Sequence, residues 1–379
     1  MKIAIVGAGI GGLAAAALLN RAGHDVRVYE QAPRFARVGA GIQMAPNAVK
    51  VLRGLGLEES LTRTAFQSEV ALSRVWNTGE ITSELKLGRE VEEQYGAPYL
   101  FLHRADLHAA IKAIVPPGIV HLDMKLAGLD QDAHQVTLAF TNGVRVQADA
   151  VIGADGVHSL IRDTLLGPEQ PRFTGRVAYR TTFPASRLGD ARITPVRTKW
   201  WGPDRHMVIY YVTAARDELY FVTSVPESAE WMTPESWSAK GDLDALRAAY
   251  AGFHEEVQAV LRACPEVYKW ALLDRDPLPR WWESRVALLG DACHPMTPYM
   301  AQGAASALED AAVLMRCLEG VDADGLQHAF ARYEATRKPR ASAIQTNSST
   351  NTWLRDATDP GWVYGYDAWT ASLSDGVAA

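Results

Sequence analysis

The sequence predicts an α/β protein in which a parallel-sheet unit is interleaved with a mixed or antiparallel sheet. Three observations predict it. "IAIVGAGIGGLAAAALL", residues 3–19, runs from an apolar segment through glycines into alanines; residues 173–225 alternate and are rich in aromatics; and "RVALLGDACHPMTPYMAQGAASALEDAAVLMRCL" returns late in the chain to strand, glycine loop and helix. At 379 residues the chain exceeds one ordinary core, which leads to the same expectation of two units.

At the N-terminus, a secretory or membrane segment is set aside. Gly7, Gly9, Gly11 and Gly12 interrupt the apolar run, which falls short of the ~20 residues a bilayer needs. Lys2–Val6 instead reads as a buried strand, Gly7–Gly12 as a turn, and Leu13–Ala22 as a helix closed by Gly23. Gly7-x-Gly9-x-x-Gly12 matches the Rossmann fingerprint, in which glycine allows the tight turn, the approach of a pyrophosphate and close helix–strand packing. The strand "DVRVYE" then ends in Glu30, where an acid can accept hydrogen bonds from an adenosine ribose. A dinucleotide is expected; the pattern does not say which.

Next come "GAGIQMAPNAVKVLRGLG", a glycine loop and short helix, and "YLFLHRADLHAAIKAI", a strand end entering a helix with Arg104 at its start. "GVRVQADAVIGADGVHSLIRDTLLG" gives two strands, a turn at Asp155-Gly156 and a helix; an ordinary helix cap would produce the same Asp-Gly. "RVAYRTTFPA", "TKWWGPDRHMVIYYVTAA" and "ELYFVTSVP" read as antiparallel strands, and residues 236–270 as helical. His206 and Tyr210, four apart on one strand, share a face, whereas Tyr211 and Tyr220 read as packing residues. The expected division is 1–72, 100–168 and 275–345 for the nucleotide unit, 73–99 and 169–274 for the sheet unit, and an aromatic tail over 346–379.

Composition excludes other classes. With 38 basic against 44 acidic residues, a net charge of −6 and no basic cluster, the chain has no footprint for nucleic acid. Its 48% hydrophobic and 22% charged content is that of a soluble globular protein. Three cysteines without CxxC spacing and ten scattered histidines predict neither disulfides nor a metal. A cytoplasmic monomer or homodimer without membrane attachment is the expectation.

The glycine turn with Glu30, "GADGVHSLIR" and "LLGDACHPMTPYMAQGA", in that order, resemble the single-component flavoprotein aromatic hydroxylases, the group of para-hydroxybenzoate and salicylate hydroxylases. The resemblance covers nearly the whole chain. It implies a para-hydroxybenzoate hydroxylase-like, Rossmann-type FAD-binding domain. It also implies transient use of NADH or NADPH, with O2 as the oxygen source for a small aromatic substrate. Gly7, Gly9, Gly11, Gly12, Glu30 and Gln31 would hold the ADP half of FAD, with Arg104 near its phosphates and Leu126 at the adenine. Asp155 would lie in the motif serving FAD and nicotinamide, Asp291 at the ribityl chain or pyrophosphate, and Gly303 and Ala304 at a helix start facing the flavin.

Within the family, "TKWWGPDRHMVIYY" and the tail "NTWLRDATDPGWVYGYD" resemble the 6-hydroxynicotinate 3-monooxygenase branch. That likeness places His206, Tyr210 and Gln43 in a substrate pocket as catalytic groups, with Tyr299, Arg197 and Pro298 as substrate-binding residues and Pro298 beside the oxygen site. Three positions depart from the branch: Gln43 and Tyr299 stand where it has histidines, and Arg197 where it has cysteine. Glutamine cannot take a proton at neutral pH, so these changes bear on the substrate more than on the reaction type. The implied activity is hydroxylation, with or without decarboxylation, of a hydroxylated N-heteroaromatic carboxylate. The alternatives are a salicylate- or hydroxybenzoate-type hydroxylase, a flavin oxidase or an NAD-only dehydrogenase, and, outside enzymes, a non-catalytic FAD-binding redox protein.

Overall fold

The computed structural model describes residues 1–37, 40–228, 239–353, 355 and 359–376. A six-stranded sheet runs in the order Trp282–Glu283, Val286–Leu288, Ala150–Gly153, Lys2–Val6, Asp25–Tyr29, Val120–His121, parallel except for the Trp282–Glu283 edge. Its central strands read as unbroken apolar runs because helices cover both faces.

The first helix spans Ile10–Arg21, three residues earlier than the glycine pattern suggests, so Gly11 and Gly12 lie inside it. Both are there for close approach: a Cβ on Gly12 would stand 2.1 Å from the Gly7 carbonyl oxygen, and one on Gly11 would stand 2.6 Å from Leu289 and 3.0 Å from Ala307. Strand, first helix and the late helix Gly303–Leu318 are thereby drawn into one layer.

The second sheet has seven strands, in the order Tyr268–Asp274, Arg172–Pro184, Glu218–Pro226, His206–Tyr211, Arg197–Trp201, Val70–Val75, Ile81–Lys86. All neighbours are antiparallel, as the alternation implied, except Arg197–Trp201 against Val70–Val75, which makes the sheet mixed. Two helices, Leu243–Ala249 and Glu255–Ala263, cover one face, where Trp200 stacks on His254 at 4.9 Å. The helical expectation for 236–270 is corrected at its end. Tyr268–Asp274 is the sheet's outermost strand, its apolar alternation completing the core, and residues 236–238 lie outside the described residues.

The other face of this sheet looks toward the nucleotide unit, and its register fixes the site. Trp201 stands opposite His206 and Lys199 opposite Val208, which places Arg197 opposite Tyr210; on the next strand His206, Val208 and Tyr210 face Ser224, Val222 and Tyr220. Side chains at alternate positions of adjacent strands therefore form rows on one surface.

Candidate active site

The glycine turn opens one side of the site. Gly7 has φ +105°, and a Cβ there would meet the Ala154 carbonyl oxygen at 2.2 Å. A Cβ on Gly9, the residue that caps the first helix, would meet nothing within 4 Å, so the space in front of this helix end is free of protein. Glu30 holds the turn, its carboxylate accepting from the backbone N–H of Ala8 at 2.8 Å and of Ala32 at 2.9 Å. Gln31 is exposed beside it, and Met124 N–H donates to the Glu30 carbonyl, which brings the strand opening at Leu126 alongside.

Arg104 opens the helix Arg104–Ala113 and interacts electrostatically with Asp291. Both side chains are reached by solvent yet crowded by protein: burial holds the Arg104 pKa down and pushes the Asp291 carboxyl up. That combination belongs to groups on the wall of a cleft. The position of a Gly303 Cβ lies 3.8 Å from Asp291 Oδ1, and the sixteen-residue helix Gly303–Leu318 begins there with no side-chain cap. The N–H groups of Gly303 and Ala304 are thus left for another acceptor. Asp155 is different. Its carboxylate accepts from Ser159 Oγ at 2.5 Å and from Ile161 N–H at 3.2 Å, while Ser159 caps the helix Leu160–Leu166, so the Asp-Gly pair anchors a helix start just past the end of the interior strand Ala150–Gly153.

Up to five residues upstream of the cleft wall at Gly303, the chain lines a second space. Pro298, Tyr299, Met300 and Ala301 border a cavity of about 50 Å³, the room of roughly four waters at ~10–15 Å³ each. Ala301 adopts a left-handed conformation, φ 55°, that swings the chain from cavity wall to helix start. Gln43, Arg197 and His206 line the same cavity. Tyr210 sits just behind it: its ring packs on Phe101 at 4.9 Å and on Tyr220 at 5.0 Å, and its hydroxyl is bonded to the Gln43 amide. Gln43 Oε1 also accepts from Tyr99 OH at 2.9 Å, so two tyrosines orient this amide.

An FAD-binding-domain family model matches residues 1–348. The chain is 47% identical to 6-hydroxynicotinate 3-monooxygenase of Bordetella bronchiseptica, over 99% of this chain and 97% of that one. It belongs to the FAD-dependent aromatic hydroxylases. It is also 39% identical to 3-amino-4-hydroxybenzoate 2-monooxygenase of Streptomyces cremeus, over 99% and 98% of the two chains. Klebsiella pneumoniae HpxO, solved with FAD and uric acid, superposes with a TM-score of 0.82 at 28% identity, over 96% of this chain and 90% of that one.

The cofactor of this hydroxylase is FAD. The protein-free space before Gly9, the uncapped start at Gly303 and the Arg104–Asp291 wall fit a dinucleotide whose phosphates meet N–H groups and a cation. No helix among the described residues is long and apolar enough to cross a membrane.

The hydroxylase's cavity is cationic. Arg197 and Lys199 are both buried on its wall, Arg197 Nη1 has no hydrogen-bond partner, and no Asp or Glu is among the described lining residues. Burial, then Lys199, Arg176 and Arg197, hold the His206 pKa well below its usual 6.5, so the imidazole is neutral at physiological pH. Tyr99 is pushed up to about 12 and Tyr210 well above 10, chiefly by burial, so both act as neutral hydroxyls. Tyr299 OH bonds Ser224 Oγ at 3.0 Å, and its ring meets the His206 ring edge-on at 5.6 Å.

Lys199, Tyr99, Thr223 and Trp353 also line the cavity and escape sequence reasoning. Lys199 alone had a signal: it shares the alternation of Arg197 and faces the row of His206. Trp353 brings the aromatic tail to the cavity, while Tyr364 packs on Tyr99 at 5.6 Å.

Proposed function

We propose that this hydroxylase uses NADH or NADPH and O2 to hydroxylate a hydroxypyridine carboxylate, 6-hydroxynicotinate or a ring isomer of it. FAD, when bound, supplies the oxygenating chemistry; the chain supplies orientation and a water-poor cavity. The observation that carries the reading is a cavity walled by the buried guanidinium of Arg197 and the buried amine of Lys199, with no carboxylate among its described lining residues. A carboxylate substrate satisfies such a wall, and in doing so offsets the desolvation of Arg197. The printed activity of the 47% identical relative supports the pyridine ring.

In this reading His206 presents a neutral imidazole to the ring's oxygen or nitrogen, and Gln43, held by Tyr99 and Tyr210, offers its amide as a fixed hydrogen-bonding edge. Pro298 and Tyr299 close the side nearest the helix start. Oxygen insertion at the carbon bearing the carboxylate releases carbon dioxide. A hydroxybenzoate substrate is the second reading, favoured by the 39% identical relative and by Arg197, Gln43 and Tyr299 departing from the pyridine branch.

The test is a screen of 6-hydroxynicotinate, its ring isomers, salicylate and amino- and hydroxybenzoates. It is scored by stimulated oxidation of NADH and NADPH, labelled oxygen in the product, and carbon dioxide release. Stimulation and label incorporation are expected with a hydroxypyridine carboxylate. Stimulation by a benzoate alone overturns the pyridine assignment, and nucleotide oxidation without label in any product overturns hydroxylation.

A further inference from the structure

We propose that Lys199 is a catalytic residue of this hydroxylase: its amine takes the proton of the substrate's ring hydroxyl, while Arg197 pairs with the substrate's carboxylate. The proposal rests on the reading of the substrate as a hydroxylated aromatic carboxylate. In the step, the substrate O–H bond breaks and an N–H bond forms. The electron pair stays on the ring oxygen, the amine becomes an ammonium, and nothing is oxidised or reduced.

Placement is the first argument. Lys199 is 1% exposed, and it borders the cavity from the middle row of the sheet's inner face, opposite Val208. Arg197 precedes it by two residues on the same face. Alternate residues of a strand are separated by roughly 6.6 Å, comparable to the separation of para substituents on a six-membered ring. A ring whose carboxylate rests on Arg197 therefore directs its opposite substituent toward Lys199.

Surroundings are the second. Around Lys199, the charged and titratable groups are Arg197 on its own strand, His206 on the next, and Tyr99 and Tyr299 across the cavity. Arg176 lies behind His206, and Arg74 and Arg355 stand over the neighbouring Trp200 and Trp201 rings. None of these is an acid that pairs with an ammonium. The Nζ instead lies 3.8 Å from the Trp201 ring centroid, an aromatic face that stabilises the charge once it forms. Burial, then Arg197, lower the Lys199 pKa well below 10.5, which favours the neutral amine and its lone pair. His206 fills the role less well, because it starts from 6.5 and burial drives it well below that. An arriving carboxylate neutralises Arg197 and so strengthens the amine as a base when substrate is bound.

The experiment uses the FAD-loaded enzyme and the ultraviolet difference spectrum of whichever hydroxylated substrate the screen returns. Wild type should show the ring-anion spectrum at a pH below the free substrate's own ionisation. Lys199→Met, which replaces the amine by an apolar chain of similar length, should bind the neutral form and lose about 10²–10⁴ in kcat. The loss should recover as pH rises past the substrate's own hydroxyl pKa. A ring-fluorinated analogue that ionises unaided near neutral pH should be turned over by the variant at close to the wild-type rate.

Were Lys199→Met poorly folded, the wild-type spectrum with the hydroxyl substrate would still decide: a bound neutral ring overturns the proposal. A ring anion in Lys199→Met at neutral pH, or its loss in His206→Asn with Lys199 intact, overturns it too. A substrate without carboxylate would defeat the substrate reading and the Arg197 pairing, and the same spectra would then decide Lys199 separately.

Discussion

Replacing Gly9 by alanine separates holding the cofactor from holding the fold. The residue's φ of −72° and ψ of −176° are open to any side chain, and its added Cβ meets no protein atom within 4 Å. The cost to the apoprotein is then that of alanine for glycine at a helix cap, a few tenths to about 1 kcal/mol, at roughly 1–2 °C per kcal/mol in a chain of 379 residues. With FAD bound, the methyl stands where the phosphates approach the helix. Overpacking of this kind costs about 1–3 kcal/mol, which is roughly 5- to 150-fold in Kd.

Gly12→Ala reverses the pattern, because its Cβ falls 2.1 Å from the Gly7 carbonyl oxygen and backbone must part from backbone. The apoprotein itself should melt lower. The assay is flavin removal, a thermal melt of each apoprotein, and titration with FAD followed by flavin fluorescence. Wild-type FAD affinity in Gly9→Ala would refute the placement of the phosphates, and an apo Gly9→Ala that melts more than about 5 °C below wild type would refute the view that the space is free.

Asp291→Ala should lower FAD occupancy with circular dichroism preserved, since it removes an acceptor on the cleft wall and no apolar contact; full flavin retention would count against that wall. Acid precipitation should leave the flavin in solution, because no residue here calls for a covalent link, and yellow in the pellet would contradict this. His206 has a folded pKa below its unfolded value, so it favours folding above about pH 6.5 and loses that contribution as pH falls toward the folded value. The stability difference between wild type and His206→Asn should therefore slope by up to ~1.4 kcal/mol per pH unit below pH 6.5, and a flat difference from pH 7 to 5 would show an unperturbed histidine. Arg337→Met removes a fully buried partner from both Glu309 and Asp310, each paired with it at 2.8 Å, and leaves them only Arg340 and His294; it should cost about 3–5 kcal/mol in thermal or denaturant unfolding.

The cofactor side was legible because its constraints are written in residue type. A positive φ at Gly7, a 2.1 Å approach at Gly12 and a helix opening on Gly303 each leave a glycine at a fixed place, and Glu30 follows from the length of one βαβ unit. The helix start was misjudged by three residues because Ile10 continues the apolar run and Gly11 and Gly12 read as turn residues, although tight packing is what demands them. The substrate side was legible only in part. Arg197, Thr198, Lys199 and Trp200 are all buried, since one face meets the cavity and the other meets the helices over Trp200, so alternation cannot say which side is the site. Tyr99 and Trp353 lie about 100 and 150 residues from the Arg197–Trp201 strand and reach the cavity only through tertiary packing.

The two halves of the site meet in the segment 298–303, and the fold fixes it from behind. Tyr299 is tied to Ser224, which accepts from Arg176 Nε at 2.6 Å, so the cavity wall hangs on the seven-stranded sheet. Gln302 Oε1 accepts from Asn47 Nδ2 at 2.9 Å, and the same amide donates to Glu309, which Arg340 and Arg337 neutralise. Asp310, one residue on, is held by Arg337 and His294 and receives the Gly290 N–H. These buried charges lie about two turns inside the helix Gly303–Leu318, far enough from its start to leave the first N–H groups unsatisfied and close enough to set their direction. Removing one partner of such a network costs more than the network contributes as a whole, so its value here is positional. The helix start therefore stays aimed at the cleft whether or not a ligand is present, and Ala301 carries that fixed point to the cavity wall within three residues.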